Sequence, residues 1–191
     1  AEGRRYSNEG CSFEITTTGV ESLDIDTKNG AIRITDLSGP ATLRTSNGAI
    51  VARHHQGAID AGTSNGAINV YGALADVSAR TSNGAITIEE AAGAVHADTS
   101  NGGITVRLAD DSPGPVVADS SNGSITLELG PAFNGELRLD TSGGRVSVDG
   151  APMARIMSLN KSSAKLVVGD GDTVSKADTS NGNVRVRFRG G

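Results

Sequence analysis

Thr45-Ser-Asn-Gly-Ala-Ile50 returns unchanged at Thr63–Ile68 and Thr81–Ile86, and its spacing decides the fold. Close copies stand at Thr27–Ile32, Thr99–Ile104, Ser120–Ile125, Thr141–Val146 and Thr179–Val184, with a degenerate copy at Lys161–Leu166. Gly30, Gly48, Gly66, Gly84 and Gly102 follow one another at 18 residues. Gly123, Gly144, Ala164 and Gly182 then follow at 21, 21, 20 and 18. A fixed period of this size is the signature of a solenoid.

A finer period lies inside the coarse one. Gly39, Gly57 and Gly93 each stand nine residues after a motif glycine. Each unit therefore holds two strand-and-corner halves. The half after the motif alternates, with inward Ile50/Ala52, Ile68/Val70, Ile86/Ile88 and Ile104/Val106, the pattern of a half-buried strand. The half before it places Leu43, Ala61, Ala79, Ala97, Ala118, Leu139 and Ala177 inward. Small residues opposite large ones fill a thin core without voids. The fold expected is all-β: a parallel β-solenoid of about nine coils with two strands per coil, with right-handed crossovers by the general rule. Residues 1–22 read as a lead-in and cap, and residues 23–191 as the repeat domain.

The structural corner is Asn29-Gly30, Asn47-Gly48, Asn65-Gly66, Asn83-Gly84, Asn101-Gly102, Asn122-Gly123 and Asn181-Gly182. Glycine and asparagine tolerate positive φ, which a sharp reversal calls for. Stacked about 4.8 Å apart, the Asn amides are expected to hydrogen-bond along the stack. The motif Thr hydroxyls are expected to bond backbone beside the turn. All three length changes fall on the opposite corner, at 109–115, 130–135 and 149–153, so that edge carries variable loops. Bulges are expected near 154–164 and 170–176. The last strand would end the stack with outward Arg185, Arg187 and Arg189, since charge on a terminal strand discourages further addition.

Among the 191 residues are 26 glycines, no Trp, two Tyr and three Phe. The net charge of −5, without basic stripes or aromatic platforms, argues against nucleic acid as a partner. One cysteine, Cys11, allows no intrachain disulfide. No apolar run approaches membrane-spanning length and no signal peptide stands in the sequence. A signal or anchor, if the protein has one, would stand ahead of Ala1.

The repeated Asp-Thr-Ser-Asn-Gly-x-Ile, intact at Asp98–Ile104 and varied at Asp26, Asp119, Asp140 and Asp178, resembles a bacterial β-strand-repeat family of unknown function that carries an adhesin label. The resemblance runs from about Leu23 to Phe188. It implies a β-helix-like fold, an extracytoplasmic or envelope setting and no established catalytic residues.

His54, His55 and His96 read as solvated surface residues, not as the convergent set a metal needs. Asp98, Asp119 and Asp140 form an outward file of oxygen ligands, but the glycine-rich turns of calcium-binding β-rolls are missing. The outward row Arg33, Val51, Asn69, Thr87, Thr105 and Thr126 contains no carboxylate pair for glycoside hydrolysis, and the motif serines have no His or Asp at a fixed offset. The expectation is a non-enzymatic structural or adhesive module with no cofactor and no metal. Binding, where present, falls on the irregular corner at Asp110, Asp111, Phe133, Asn134 and Met153. A polymer-forming, bactofilin-like scaffold and a glycan- or ligand-binding module are the alternatives. The chain is expected to be a monomer, with end-to-end or edge association left open.

Overall fold

The computed structural model describes residues 4–8, 10–16, 20–150 and 154–190. They contain twenty strands and no helix. The lead-in supplies β1 (Arg4–Asn8) and β2 (Phe13–Thr16). Six turns then follow in chain order, each with two strands. They are β3 (Leu23–Thr27) with β4 (Ile32–Thr35), β5 (Ala41–Thr45) with β6 (Ile50–His55), and β7 (Ile59–Thr63) with β8 (Ile68–Ala73). Next come β9 (Val77–Thr81) with β10 (Ile86–Ala91), β11 (Val95–Thr99) with β12 (Ile104–Leu108), and β13 (Val116–Ser120) with β14 (Ile125–Leu129). From β1 to β14, odd strands lie in one sheet and even strands in the other, and each pairs in parallel with its equivalent one turn away. Ile50 sits beside Ile68, and Ile68 beside Ile86. The solenoid is therefore as expected, but its consecutive winding is about six turns and not nine.

The alternation of the sequence becomes the burial pattern. Ile32, Ile50, Ile68, Ile86, Ile104 and Ile125 form one fully buried file. Leu43, Ala61, Ala79, Ala97 and Ala118 form the facing file in the other sheet. One hydrophobic core runs between the sheets, and β-branched residues suit the half-buried strands that line it. A further file at the variable edge runs Leu37, His55, Ala73, Ala91. His55 is thus a core residue and not a solvated one. The step from His54 to His55 crosses from the exposed to the buried side of β6.

The corner asparagines form a ladder. Asn47 Nδ2 donates to Asn29 Oδ1 at 2.8 Å, Asn65 to Asn47 at 2.8 Å, Asn83 to Asn65 at 2.9 Å and Asn101 to Asn83 at 3.0 Å. Beneath it, Thr63 Oγ1 donates to Gly48 O and Thr81 Oγ1 to Gly66 O, both at 3.0 Å. The same Thr63 hydroxyl accepts from its own corner amide, Gly66 N, at 3.2 Å. The glycine itself is required for a different reason from the one expected. None of the motif glycines or asparagines is among the residues with positive φ. A Cβ on Gly66 would instead lie 1.8 Å from Gly48 O, and one on Gly84 would lie 1.9 Å from Gly66 O. The turns touch backbone to backbone, and any side chain would part them. Left-handed backbone belongs to the other corner, where Asp36, His54, Gly72 and Glu90 repeat it at 18-residue intervals.

Beyond β14 the chain leaves its regular path. β15 (Gly135–Thr141) and β16 (Val146–Asp149) skip one level of the stack. β17 (Ala154–Leu159) and β18 (Ser163–Val168) form an antiparallel hairpin, with β18 paired to β15. β19 (Val174–Thr179) and β20 (Val184–Phe188) then return to fill the vacant level, between β13 and β15 and between β14 and β16. Three expectations are corrected here. The degenerate copy at Lys161–Leu166 is part of a hairpin, because it lacks the Asn-Gly pair. The bulges expected over 154–164 and 170–176 reduce to one irregularity between Ile156 and Ser158, the rest being hairpin and connecting turn. Finally, β20 is an interior strand. Arg187 lies between Glu128 and Asp149, and Arg189 is pinned by an ion pair to Asp110 at 3.0 Å and by Leu108 O.

Candidate functional site

The irregular corner is held together from within. Phe133 is buried and meets Phe188 edge-on, ring centroids 6.2 Å apart. Asn134 Oδ1 accepts from Gly171 N at 2.7 Å, and its carbonyl accepts from Thr173 Oγ1 at 2.7 Å. These bonds brace the loop that lets β15 skip a level against the loop that leads β19 back. Asp110 is exposed and paired with Arg189, and Asp111 is exposed. Met153 lies outside the described residues. Phe133 and Asn134 therefore serve the joint between levels, while Asp110 and Asp111 face solvent.

A longer feature lies on the outer face of the odd-strand sheet, beside the Asn-Gly spine. It is built by the residue that precedes each motif Thr. Strand alternation turns these residues outward, and parallel register stacks them in the order Asp26, Arg44, Gly62, Arg80, Asp98, Asp119, Asp178, Asp140. Gly62 opens a gap in the file, and the Arg44 guanidinium lies across it. Arg44 Nη1 donates to Asp60 O at 3.0 Å and Arg44 also pairs with the Asp60 carboxylate, while Arg80 stands 3.9 Å from Asp60 Oδ1. A Cβ at position 62 would be 3.1 Å from the Arg44 side chain, so glycine there is what lets Arg44 lie flat. This half of the feature is a shallow trough of about 420 Å³ that reaches Asp98.

From Asp98 the trough continues for another 390 Å³ past Asp119, Asp178 and Asp140, floored by Ser121, Ser142 and Ser180. Its carboxylates are partly compensated. Lys176 pairs with Asp178 and stands 3.7 Å from Asp119. The bond to Asp178 raises the Lys176 pKa against the opposing pull of desolvation. No group of three or more His, Cys, Asp or Glu side chains poised to hold a metal occurs among the described residues. The trough is thus charge-balanced at one end, where Arg44 and Arg80 stand with Asp60 and Asp98, anionic at the other and hydroxyl-lined throughout. Sharing Asp98, its two halves cross seven neighbouring strands, β5 to β15 in spatial order. At ordinary strand spacing that is about 29 Å. The file is visible in the sequence as a column of aspartates, where an ion is the ligand it first suggests. Its continuity depends on Asp178 standing between Asp119 and Asp140, which the threading of β19 alone supplies.

The family described as Domain of unknown function (DUF7330) matches residues 61–191. The match begins within β7 and includes the threaded end of the stack. No curated protein and no solved structure matches the chain.

Proposed function

We propose that this chain, which belongs to the DUF7330 family of unknown function, is a non-enzymatic structural and adhesive solenoid whose outer trough holds an extended polar polymer. The observation that carries the reading is the file of outward residues from Arg44 to Asp140, stacked in register over seven strands and flanked by two hollows that both reach Asp98. A rigid parallel stack offers a repeating file of charges and hydroxyls at one fixed spacing, which suits a chain-like ligand better than a compact one. The Asn ladder and the Thr-to-Gly bonds support the structural half of the proposal, because they stiffen the wall behind the trough. Likeness to bacterial β-strand-repeat proteins supports an extracytoplasmic place at the cell envelope or surface. Surface polysaccharide is the polymer class that such a setting offers.

An array of charged and neutral glycans tests the reading. Saturable binding to a long saccharide, weakened at least about tenfold by Arg80→Glu or Asp140→Lys, is the expected outcome. Binding that ignores both substitutions, or no glycan bound, removes the trough from the proposal. Fractionation of cells that express the full-length gene tests the envelope setting.

A further inference from the structure

The odd-strand sheet has eleven strands and the even-strand sheet nine. The two extra strands at the threaded end are β18 and β17, which extend past β16 with no facing strand among the described residues. Their depth is about 10 Å at ordinary strand spacing. The register carries the core file onto this ledge. Leu137 lies beside Leu166 and Leu166 beside Ile156, while Leu139 lies beside Ala164 and Ala164 beside Leu159. Leu137, Leu139 and Leu166 are fully buried. Ile156 and Leu159, on the same side of the sheet, remain 54% and 53% exposed. They face the core side, but the opposite sheet has ended. The irregularity at Met157 keeps both of them on that side, although they are three residues apart.

We propose that this ledge is the interface with a second copy of the chain, joined tail to tail about a two-fold axis parallel to the strands. That rotation exchanges the two sheets and reverses the stack. The ledge of each copy then fills the step of the other, two strands deep against two strands deep. β17 of one copy extends the even-strand sheet of its partner and lies antiparallel to the partner's β16 along Ser147–Asp149, the part of that edge left open beyond Val146, whose N–H already donates to Lys161 O at 2.9 Å. A surface that fits its own copy in this way is what a two-fold interface demands, and an open strand edge is a ready template for the added strand.

The charges select the same arrangement. Along the outer face of the even-strand sheet the register places Glu89, Arg107, Glu128, Arg187 and Asp149 in one file. Sign alternates at every step, and the file stops at Asp149 on the exposed edge. In the joint, Val148 meets Ile156 of the second copy on the inward side, and the second copy's Leu159 comes to the level of Val146, where Lys161 O already caps the strand. Asp149 then meets Arg155 of the second copy on the outward side, so the next charge in the file is positive. The hairpin segment 154–168 carries Arg155, Lys161 and Lys165 and no acidic residue, in a chain of net charge −5. A two-fold joint closes on itself, so it gives a dimer and not a filament.

Sedimentation or light scattering of the full chain, up to about 100 μM, tests the joint at concentrations well above micromolar affinity. The expected result is a dimer. Arg155→Asp and Asp149→Arg should each raise the dissociation constant at least about tenfold, and the two together should restore association. Leu159→Glu should give a monomer that keeps the parent circular dichroism, because the residue is exposed in the single chain. A monomeric parent, filaments, or a dimer indifferent to all of these substitutions overturns the proposal. So does binding of the monomer to anionic phosphatidylserine vesicles that requires Ile156 and Leu159, since the ledge would then belong to a membrane surface.

Discussion

Asn181 Nδ2 donates to Asn122 Oδ1 at 3.0 Å, although 59 residues separate them in the chain. The ladder that began at Asn29 thus continues unbroken across a change of chain path. Thr179 Oγ1 likewise reaches Gly123 O at 2.8 Å, and a Cβ on Gly182 would lie 2.1 Å from Gly123 O. The intact Thr-Ser-Asn-Gly copy occupies the interior level. The Thr-Ser-Gly-Gly copy, whose Gly143 offers no amide side chain, takes the level where the ladder ends.

Close backbone contact at the corner makes the motif glycines the least replaceable residues. Gly66→Ala is expected to cost about 4 kcal/mol or more, since its methyl would fall within a carbonyl oxygen of the turn below. Gly10→Ala meets nothing within 4 Å and is expected to be neutral. Urea denaturation of the two variants checks the contrast.

Interior rungs of the ladder should matter more than terminal ones. Asn83 donates to Asn65 and accepts from Asn101, whereas Asn181 is bonded to one asparagine, Asn122. At about 1 kcal/mol net for each bond, Asn83→Ala should lose roughly twice as much stability as Asn181→Ala. Equal losses would mean that the rungs act through the turn backbone and not through one another.

The buried hydroxyl beneath the ladder has its own signature. Thr81→Val preserves shape but leaves Gly66 O without its donor, at an expected cost of about 1–3 kcal/mol. Thr81→Ser keeps the donor, as Ser120 does naturally at 3.0 Å from Gly102 O. Thermal melts should therefore rank Ser close to the parent and Val well below it.

His55 predicts a pH dependence. Its side chain is fully buried, and neither ring nitrogen has a well-formed hydrogen bond among the described residues. Burial lowers its pKa, with the Ala58 backbone pulling the other way. The unfolded chain then binds a proton that the folded chain resists, so the contribution to stability is intact above about pH 6.5 and declines as pH falls below it. His55→Leu, which repeats the Leu37 of the turn below in the same file, should flatten the urea midpoint between pH 7 and 5. An unchanged slope would assign the pH effect to carboxylates.

The repeat was legible because a solenoid writes its contacts at a constant sequence offset. Each 18-residue step brings like residues together, so alternation, the corner Asn and Thr files and the parallel pairing of Ile50, Ile68 and Ile86 could be read directly. Glycine at the corner was legible as a requirement, but its cause was not, because a neighbouring turn's carbonyl leaves no mark on the local sequence. The burial of His55 was hidden for a related reason: the strand lengthens by one residue at the variable edge, and burial there depends on where the sheet bends.

By itself, then, the sequence determined the two-stranded turn, the files of the core and the asparagine spine, all of which are set by interactions at one short, repeated separation. The tertiary structure alone decided the order of the last levels, the seven-strand trough that runs through Asp178 and the uncovered ledge at Ile156 and Leu159. The first two depend on contacts across 38 to 59 residues, as between Glu136 and Val174 or Val117 and Lys176, and the ledge follows from where they leave the hairpin. At that range several copies of one motif compete for the same neighbour. The competition is settled by which copy completes the ladder and buries the end of the core, a property of the assembled stack and not of any single stretch.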